Sequence, residues 1–200
     1  MYTLIGSLTS RAFRVGWMLS ELSQDYELIK EQPKGPQARA ANPSGKIPVL
    51  MDGDAAVPDS VAILTYLTDK HGAFTHPPGT IERAHQDSLT QFICDEVDGC
   101  LWTAMRNKFT NPEDQRSADI EPILKWEFDR SMASLSQRIG DGPWLTGETF
   151  TVPDLLLCHC MGWAYHFGFP LAQAEKAMAI SNRGRKRDAY GTTVARRDAK

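Results

Sequence analysis

Cysteine is scarce in this 200-residue chain and unevenly placed. The four cysteines lie at positions 94, 100, 158 and 160, so the first 93 residues contain none. Their spacing matches neither a zinc site nor the disulfide framework of small secreted domains. Cys158 and Cys160 lie two residues apart on a predicted helix, where their side chains point about 200° apart and cannot share an ion. We therefore expect reduced, buried thiols and no metal site.

Long apolar runs are also missing. No stretch of 18 apolar residues is present, which argues against a membrane-spanning helix. The first seven residues have neither the basic region nor the apolar core of a signal peptide. Zinc, iron and phosphate-loop motifs are absent as well. Together with reduced cysteines, these absences predict a cytoplasmic protein.

The charge is nearly balanced overall but not along the chain. The net charge is −3 for the whole sequence and +5 for residues 181–200, which leaves −8 for the first 180. A basic tail can bind nucleic acid or an acidic membrane. This tail has one aromatic residue, Tyr190, and therefore lacks a series of base-stacking side chains. We predict a solvated, partly disordered terminus, with no nucleic-acid and no membrane partner.

Hydrophobic patterns divide the chain into two parts. The first part alternates strand patterns with helix patterns: strands at Met1–Gly6, Tyr26–Lys30, Pro48–Met51 and Ala55–Val57, and helices at 11–22 and Ser60–Lys70. His76-Pro77-Pro78-Gly79 then interrupts the pattern, as a linker does. The second part has helix patterns only: Ile81–Phe109, Ile120–Ile139 and Leu155–Phe167. We predict a small α/β domain at 1–75, a linker at 76–82 and an all-helical domain at 83–200.

Two short segments indicate a site for the backbone of a small peptide. In Lys46-Ile47-Pro48-Val49-Leu50, a proline opens an apolar strand and leaves a gap in its hydrogen-bond ladder. The residue before the proline can then offer its backbone groups to a ligand. Asp59-Ser60 opens an amphipathic helix, where unpaired N–H groups and the helix dipole favour a carboxylate.

The chain resembles the cytosolic glutathione transferase family over nearly its whole length. Four segments carry the resemblance, in the family's order: Ser7–Leu22, Asn42–Leu50, Pro58–Leu67 and Trp144–Leu156. The resemblance implies an α/β thioredoxin-like N-terminal domain, an all-α C-terminal domain and a homodimer. It also implies a cis Ile47–Pro48 bond and transfer of an alkyl or aryl group from a small apolar electrophile to glutathione.

The resemblance also implies how glutathione, the co-substrate, is held. The backbone of Ile47, before Pro48, pairs with the cysteinyl unit. Asp59 and Ser60 hold the γ-glutamyl end, and Lys46 is a candidate for the glycyl carboxylate. Many family members have Glu or Gln where Asp59 stands, so we expect this contact to be weaker or differently aimed.

A transferase must present glutathione as its thiolate, which a donating hydroxyl stabilises. The family keeps this group in the loop after the first strand, where this chain has Ser7, Thr9 and Ser10, and different classes would place it at each position. We rank Ser10 first because it lies at the predicted helix start, then Thr9, then Ser7. An ordinary helix cap, which uses its oxygen as acceptor, is an equal alternative for Ser10. Without sulfur in this loop, a protein-thiol mechanism is not expected.

Further positions carry weaker expectations. Arg11 and Arg14 can raise the positive potential of the loop, although surface solvation is the expected role for at least one of them. Trp102, Met105, Phe109 and Tyr165 are candidates for the apolar wall of a co-substrate pocket, with core packing as the alternative. The other functions open to this scaffold are a glutathione-dependent isomerase or peroxidase and a non-catalytic glutathione-binding or protein-interaction module.

Overall fold

The computed structural model describes residues 1–199, and the chain forms two compact units. The first unit comprises Met1–Pro77 and the chain from Arg185 onward, and the second comprises Pro78–Gly184. The sequence-based prediction assigned everything after residue 82 to the helical domain. The structure differs at the C-terminal end, which belongs with the N-terminal unit.

A four-stranded mixed sheet forms the centre of the first unit. Its strands are β1 (Tyr2–Ile5), β2 (Tyr26–Ile29), β3 (Val49–Asp52) and β4 (Ala55–Pro58), in the spatial order β2-β1-β3-β4. β1 and β2 are parallel, whereas β3 is antiparallel to both β1 and β4. The parallel pair needs a crossover, which helix α1 (Ala12–Glu21) provides. This is the predicted thioredoxin-like arrangement.

Two more helices follow in this part of the chain. α2 (Pro36–Ala41) is a short helix in the proline-rich segment, and α3 (Ser60–His71) follows β4. The hairpin between β3 and β4 turns at Gly53, whose φ of +59° lies in the left-handed region that favours glycine. Apolar side chains of the sheet, α1 and α3 are fully buried and form the core: Leu4, Val15, Met18, Leu19, Leu50, Ile63, Leu64 and Leu67.

The second unit is helical. Its helices are α4 (Ile81–Phe92), α5 (Gly99–Met105), α6 (Ile120–Arg138), α7 (Val152–His166) and α8 (Glu175–Gly184). π-helical segments at Ile93–Asp98 and Arg106–Thr110 extend α4 and α5, so the long pattern over 81–109 is a run of connected helical segments. No helix in the described part of the chain is long and apolar enough to cross a membrane.

α7 lies at the centre of this unit, as its dense apolar sequence predicts, and contacts α4, α5 and α8. It begins with a capping box in which Asp154 Oδ2 accepts the Thr151 N–H at 2.9 Å and the Thr151 hydroxyl at 3.0 Å. Asp154 Oδ1 accepts the Leu145 N–H at 2.7 Å. Complete burial raises the pKa of Asp154 to about 6, although these donors lower it.

The basic C-terminal segment forms a helix, α9 (Asp188–Asp198), that packs on α1. The Tyr190 ring meets the rings of Phe13 and Trp17 edge to face, with centroids 5.4 and 5.0 Å away. Arg196 lies over the Tyr26 ring at 3.9 Å and donates to the Tyr26 carbonyl oxygen at 2.7 Å. The prediction of a partly disordered terminus is therefore wrong. The contacts of Tyr190 and Arg196 offset the conformational entropy that the segment loses when it becomes ordered.

Candidate functional site

Three segments identified in the sequence lie at one end of the sheet. Ser7–Ser10 follows β1, Ile47–Pro48 precedes β3, and Asp59–Ser60 follows β4. Val49, the first residue of β3, is paired with β1 on one side and with β4 on the other. The strand ends from which the three segments leave are therefore neighbours, and the first unit brings the candidate peptide-binding residues together.

The peptide bond between Ile47 and Pro48 is cis, as the family resemblance implies. Ile47 is half-buried, Pro48 is buried and Lys46 is exposed. Gly6, at the end of β1, approaches this turn so closely that a Cβ on it would lie 3.3 Å from the Ile47 Cβ. Its φ of +147° is also a conformation that other residues rarely adopt. The loop after β1 and the turn before β3 are thereby held against each other.

Asp59 and Ser60 form the start of α3, as predicted. Asp59 is the N-cap, and its Oδ1 accepts the Val61 N–H at 3.0 Å. Its φ of +74° is unusual for a residue other than glycine. Asp59 is exposed, whereas Ser60 is only 4% exposed. The first turn of α3 offers N–H groups and the positive end of the helix dipole, a geometry that suits a carboxylate.

A buried arginine reaches Ser60 from α1. Arg14 is 1% exposed, and its Nη1 donates to the Ser60 Oγ at 3.4 Å. This burial excludes surface solvation for Arg14, whose hydrogen bond to Ser60 was not predicted from the sequence. A sequence signal was present, because Arg14 precedes Trp17 and Met18 by three and four residues and so shares their apolar helix face.

The hydroxyls of the Ser7–Ser10 loop differ in their hydrogen bonds. The Ser10 Oγ donates to the Ser7 carbonyl oxygen at 2.7 Å and accepts the Ala12 N–H at 3.2 Å. The local structure thus uses the Ser10 hydroxyl both as donor and as acceptor. The Ser7 and Thr9 hydroxyl oxygens lie 2.7 Å apart, and Thr9 is exposed. Because only one of these two hydroxyls donates to the other, the pair retains a proton for a ligand.

A cavity of about 220 Å³ lies beside the same loop. Ser7 and Thr9 line it together with Leu28 of β2 and with Arg196 and Arg197 of α9. From the sequence, the basic tail was predicted to be a solvated, partly disordered terminus. In the structure, two of its cationic side chains border the loop that carries the candidate hydroxyls.

Thiols are confined to the second unit, since the first unit contains no cysteine. All four cysteines are thiols rather than disulfides, and Cys158 and Cys160 are buried, as predicted. Cys100 is also buried. Burial, together with the carboxylates of Glu127 and Glu96, raises the pKa of the Cys100 thiol to about 11. The candidate site in the first unit consequently offers hydroxyls and backbone groups but no thiol.

The candidates for the apolar wall lie in the second unit. Trp102 and Met105 belong to α5, Phe109 to the π-helical segment after it, and Tyr165 to α7. Phe109 and Tyr165 are 61% and 75% exposed, so core packing does not explain them, whereas Trp102 and Met105 are half-buried. The Phe109 ring lies 6.1 Å from the ring of Phe167.

Comparison with known proteins gives consistent matches. The family model for the glutathione S-transferase N-terminal domain matches residues 4–78. A zeta-class glutathione S-transferase of Euphorbia esula is 35% identical over 158 residues, which cover 74% of this chain and 69% of the relative. The disulfide-bond oxidoreductase YfcG of Escherichia coli strain K12 is 29% identical over 176 residues, covering 82% and 79%.

A solved structure gives the same result for the fold. The glutathione transferase URE2P6 from Phanerochaete chrysosporium, in complex with oxidized glutathione, superposes with a TM-score of 0.86 at 22% identity and covers 98% of this chain and 96% of its own. The matched residues include nearly all of both units. The zeta-class relative, together with the family model, shows that the chain belongs to the glutathione S-transferase family.

Proposed function

We propose that this protein binds glutathione as its co-substrate and transfers an alkyl or aryl group from a small apolar electrophile to the glutathione sulfur. The observation that carries the proposal is the meeting of Ser7–Ser10, Ile47–Pro48 and Asp59–Ser60 at one sheet end. Family membership supports it, as does a structural neighbour that was solved with oxidized glutathione. The family further supports a cytoplasmic homodimer that needs no metal ion.

The two ends of the tripeptide are proposed to bind different segments. The γ-glutamyl carboxylate accepts hydrogen bonds from the Ser60 hydroxyl and the first turn of α3, while Asp59 accepts from the glutamyl ammonium. The cysteinyl unit pairs with the backbone of Ile47. Lys46 is exposed and supplies a cation for the glycyl carboxylate. This arrangement directs the thiol toward the Ser7–Ser10 loop.

For the activating hydroxyl we propose Thr9, supported by Ser7. The sequence ranked Ser10 first, but the Ser10 proton is directed at the Ser7 carbonyl oxygen. The Ser7 Oγ also accepts the Thr9 N–H at 3.3 Å, which favours Ser7 as the donor to the Thr9 oxygen. The Thr9 proton is then available to the sulfur. A hydrogen bond to the thiolate lowers the thiol pKa, so more of the nucleophile is present at neutral pH.

In the reaction, the glutathione sulfur forms a bond to the electrophilic carbon with its own electron pair. The bond from that carbon to the leaving group breaks, and the leaving group departs with the bonding electrons. In the second unit, Phe109 and Tyr165 have exposed rings that can bind an apolar group.

A second candidate function is glutathione-dependent reduction of disulfides, which the relative named disulfide-bond oxidoreductase favours. Since the first unit has no cysteine, glutathione must supply both thiols. One glutathione thiolate attacks the disulfide, forms a mixed disulfide and releases one thiolate. A second glutathione thiolate attacks the mixed disulfide, which yields oxidized glutathione and the second substrate thiolate.

Calorimetric titration with glutathione, combined with the ultraviolet absorbance of the bound thiolate against pH, tests the proposal. We expect saturable binding and a bound-thiol pKa below that of free glutathione. Thr9→Ala should raise this pKa and reduce the rate by up to about tenfold per pKa unit at pH values below the pKa, where the thiolate fraction limits the rate. Ser10→Ala should leave the bound-thiol pKa unchanged and destabilise the fold by about 1 kcal/mol, because the hydrogen bonds of its hydroxyl to the Ser7 carbonyl oxygen and the Ala12 N–H are lost.

Each outcome separates the candidate functions. No saturable binding at millimolar glutathione would exclude all four glutathione-dependent enzymatic functions and favour an interaction module. Binding with an undepressed thiol pKa would favour a non-catalytic glutathione-binding module. Given a depressed pKa, assays with an alkyl or aryl halide, a disulfide, a peroxide and an isomerisable substrate distinguish transferase, reductase, peroxidase and isomerase.

A further inference from the structure

We propose that Arg14 is a positioning residue that aims the Ser60 hydroxyl at the γ-glutamyl carboxylate of glutathione. This inference rests on the glutathione binding proposed above and names a residue outside the peptide-binding segments. Arg14 acts through Ser60 and needs no contact of its own with the tripeptide.

The geometry places both partners out of water. Arg14 is the third residue of α1, Ser60 is the first residue of α3, and the two helices pack against each other. Arg14 is 1% exposed and Ser60 is 4% exposed, with 3.4 Å between Nη1 and Oγ. A buried hydrogen bond to a charged group is stronger than an exposed one, because water does not compete for the same atoms.

The direction of this hydrogen bond determines what Ser60 can do next. A guanidinium group has donors only, so the Ser60 oxygen must be the acceptor. The hydroxyl proton of Ser60 therefore cannot point at Arg14 and remains available for another acceptor. At the N-terminus of α3, where a carboxylate is favoured, that acceptor is the γ-glutamyl carboxylate. Arg14 thus fixes Ser60 as a donor before the ligand arrives, which reduces the entropy lost on binding.

The positive charge of Arg14 contributes in the same direction. A charge removed from water acts on neighbouring groups through a lower effective dielectric constant than a surface charge does. Near the first turn of α3 it adds to the positive potential of the helix dipole.

Two substitutions separate the charge of Arg14 from its hydrogen bond. Arg14→Gln removes the charge and keeps an N–H donor, whereas Arg14→Lys keeps the charge and changes the geometry of the donor.

The test compares two probes by calorimetry: glutathione, and an analogue whose γ-glutamyl α-carboxylate is replaced by a carboxamide. We expect Arg14→Gln to weaken glutathione binding about tenfold, as loss of a charged hydrogen bond does, and to weaken analogue binding less than about threefold. In a Ser60→Ala background the effect of Arg14→Gln on glutathione should disappear. Arg14→Lys should restore part of the preference for glutathione over the carboxamide.

Arg138→Gln is the matched control. Arg138 also donates to a serine hydroxyl, Ser88 Oγ at 2.9 Å, but lies in the second unit on an exposed surface. This control should leave binding of both probes unchanged. If Arg14→Gln does not fold, as judged by circular dichroism, Arg14→Lys carries the comparison, and its preference for glutathione should fall about threefold.

Two results overturn the inference while leaving the proposed function intact. One is an equal loss of affinity for both probes in the Arg14 variants, which indicates a purely structural role. The other is an undiminished effect of Arg14→Gln in the Ser60→Ala background, which shows that Arg14 does not act through Ser60. Absence of glutathione binding by the wild-type protein overturns the proposed function itself, and the inference with it.

Discussion

Arg187 donates two hydrogen bonds to Glu21, from Nε to Oε1 at 2.6 Å and from Nη2 to Oε2 at 2.8 Å. The Glu21 side chain is only 6% exposed and also accepts the Trp17 indole N–H at 2.8 Å. This ion pair joins the segment before α9 to the end of α1. Because removal of Arg187 leaves a nearly buried carboxylate without its cation, we expect Arg187→Ala to lower the free energy of unfolding by about 2 kcal/mol.

Urea denaturation followed by tryptophan fluorescence measures this change. Trp17 is the only tryptophan of the first unit and contributes that unit's part of the signal. Lys186→Ala is the control, because it removes an exposed charge at the adjacent position. The control should change stability by less than about 0.5 kcal/mol. Equal effects of the two substitutions would show that the Glu21 pair contributes nothing specific.

Substitution by alanine should change the stability of the fold in opposite directions at two glycines, which lie in helices that pack together. At Gly16, in α1, a Cβ would lie 2.9 Å from the Tyr26 hydroxyl and 3.0 Å from Leu8 Cδ2, so Gly16→Ala should destabilise by about 1–3 kcal/mol. At Gly191, in α9, a Cβ would meet nothing within 4 Å. Gly191→Ala should therefore stabilise by about 0.5–1 kcal/mol, the difference in helix propensity.

Thermal denaturation of the two variants measures these effects under identical conditions. A stabilising Gly16→Ala would contradict the close packing of α1 and β2. A destabilising Gly191→Ala would show that α9 does not persist in solution, since an exposed helical alanine is otherwise favourable.

Some features of the fold are encoded within a few residues and can be predicted from the sequence. Asp52-Gly53-Asp54 specifies the hairpin through the backbone freedom of one glycine. Thr151 and Asp154 specify the start of α7 through a reciprocal cap. The meeting of the Ile47–Pro48 and Asp59–Ser60 segments follows from the strand register that such local signals produce.

The features that sequence missed depend on partners far along the chain. Glu21 and Arg187 are 166 residues apart in the sequence. Taken alone, neither residue differs in the sequence from an ordinary charged surface residue. Tyr190 lies in a polar, basic segment whose composition favours disorder until Phe13 and Trp17 cover its ring. Such pairs leave no periodic pattern in the sequence.

Alkylation should distinguish the cysteines by burial. Cys94 is half-buried, whereas Cys100, Cys158 and Cys160 are buried. The thiolate is the reactive form, and a Cys100 pKa of about 11 leaves about one thiol in a thousand ionised at pH 8. We expect iodoacetamide to modify at most one site quickly in the folded protein, with mass spectrometry placing it at Cys94.

Cys94→Ser is the control for this assignment. The variant should show no fast phase in the folded state and three reactive thiols after unfolding in urea. Modification of Cys100 at a rate similar to that of Cys94 would contradict the raised pKa and the burial of that side chain.

Asp154 should make stability fall as the pH rises through the mildly acidic range. Its pKa is about 6 in the folded protein and 3.8 as the unperturbed value, so below both values the carboxyl is protonated in both states. As the pH rises between them, the unfolded state ionises first and is favoured. The folded protein should lose about 3 kcal/mol of this contribution, since each pKa unit corresponds to about 1.4 kcal/mol.

Asp154→Asn isolates this effect, because the amide does not titrate. The pH-dependent contributions of the other carboxyl groups cancel when the stabilities of the wild type and the variant are subtracted. The stability of the wild type minus that of Asp154→Asn, from urea denaturation, should be about 2.4 kcal/mol smaller at pH 7 than at pH 4, because the unfolded carboxyl is already partly ionised at pH 4. Asp141→Asn, an exposed position in the preceding loop, should give a difference that varies little with pH. A difference for Asp154 that grows with pH would mean that the N–H groups of Leu145 and Thr151 stabilise the carboxylate more than burial disfavours it.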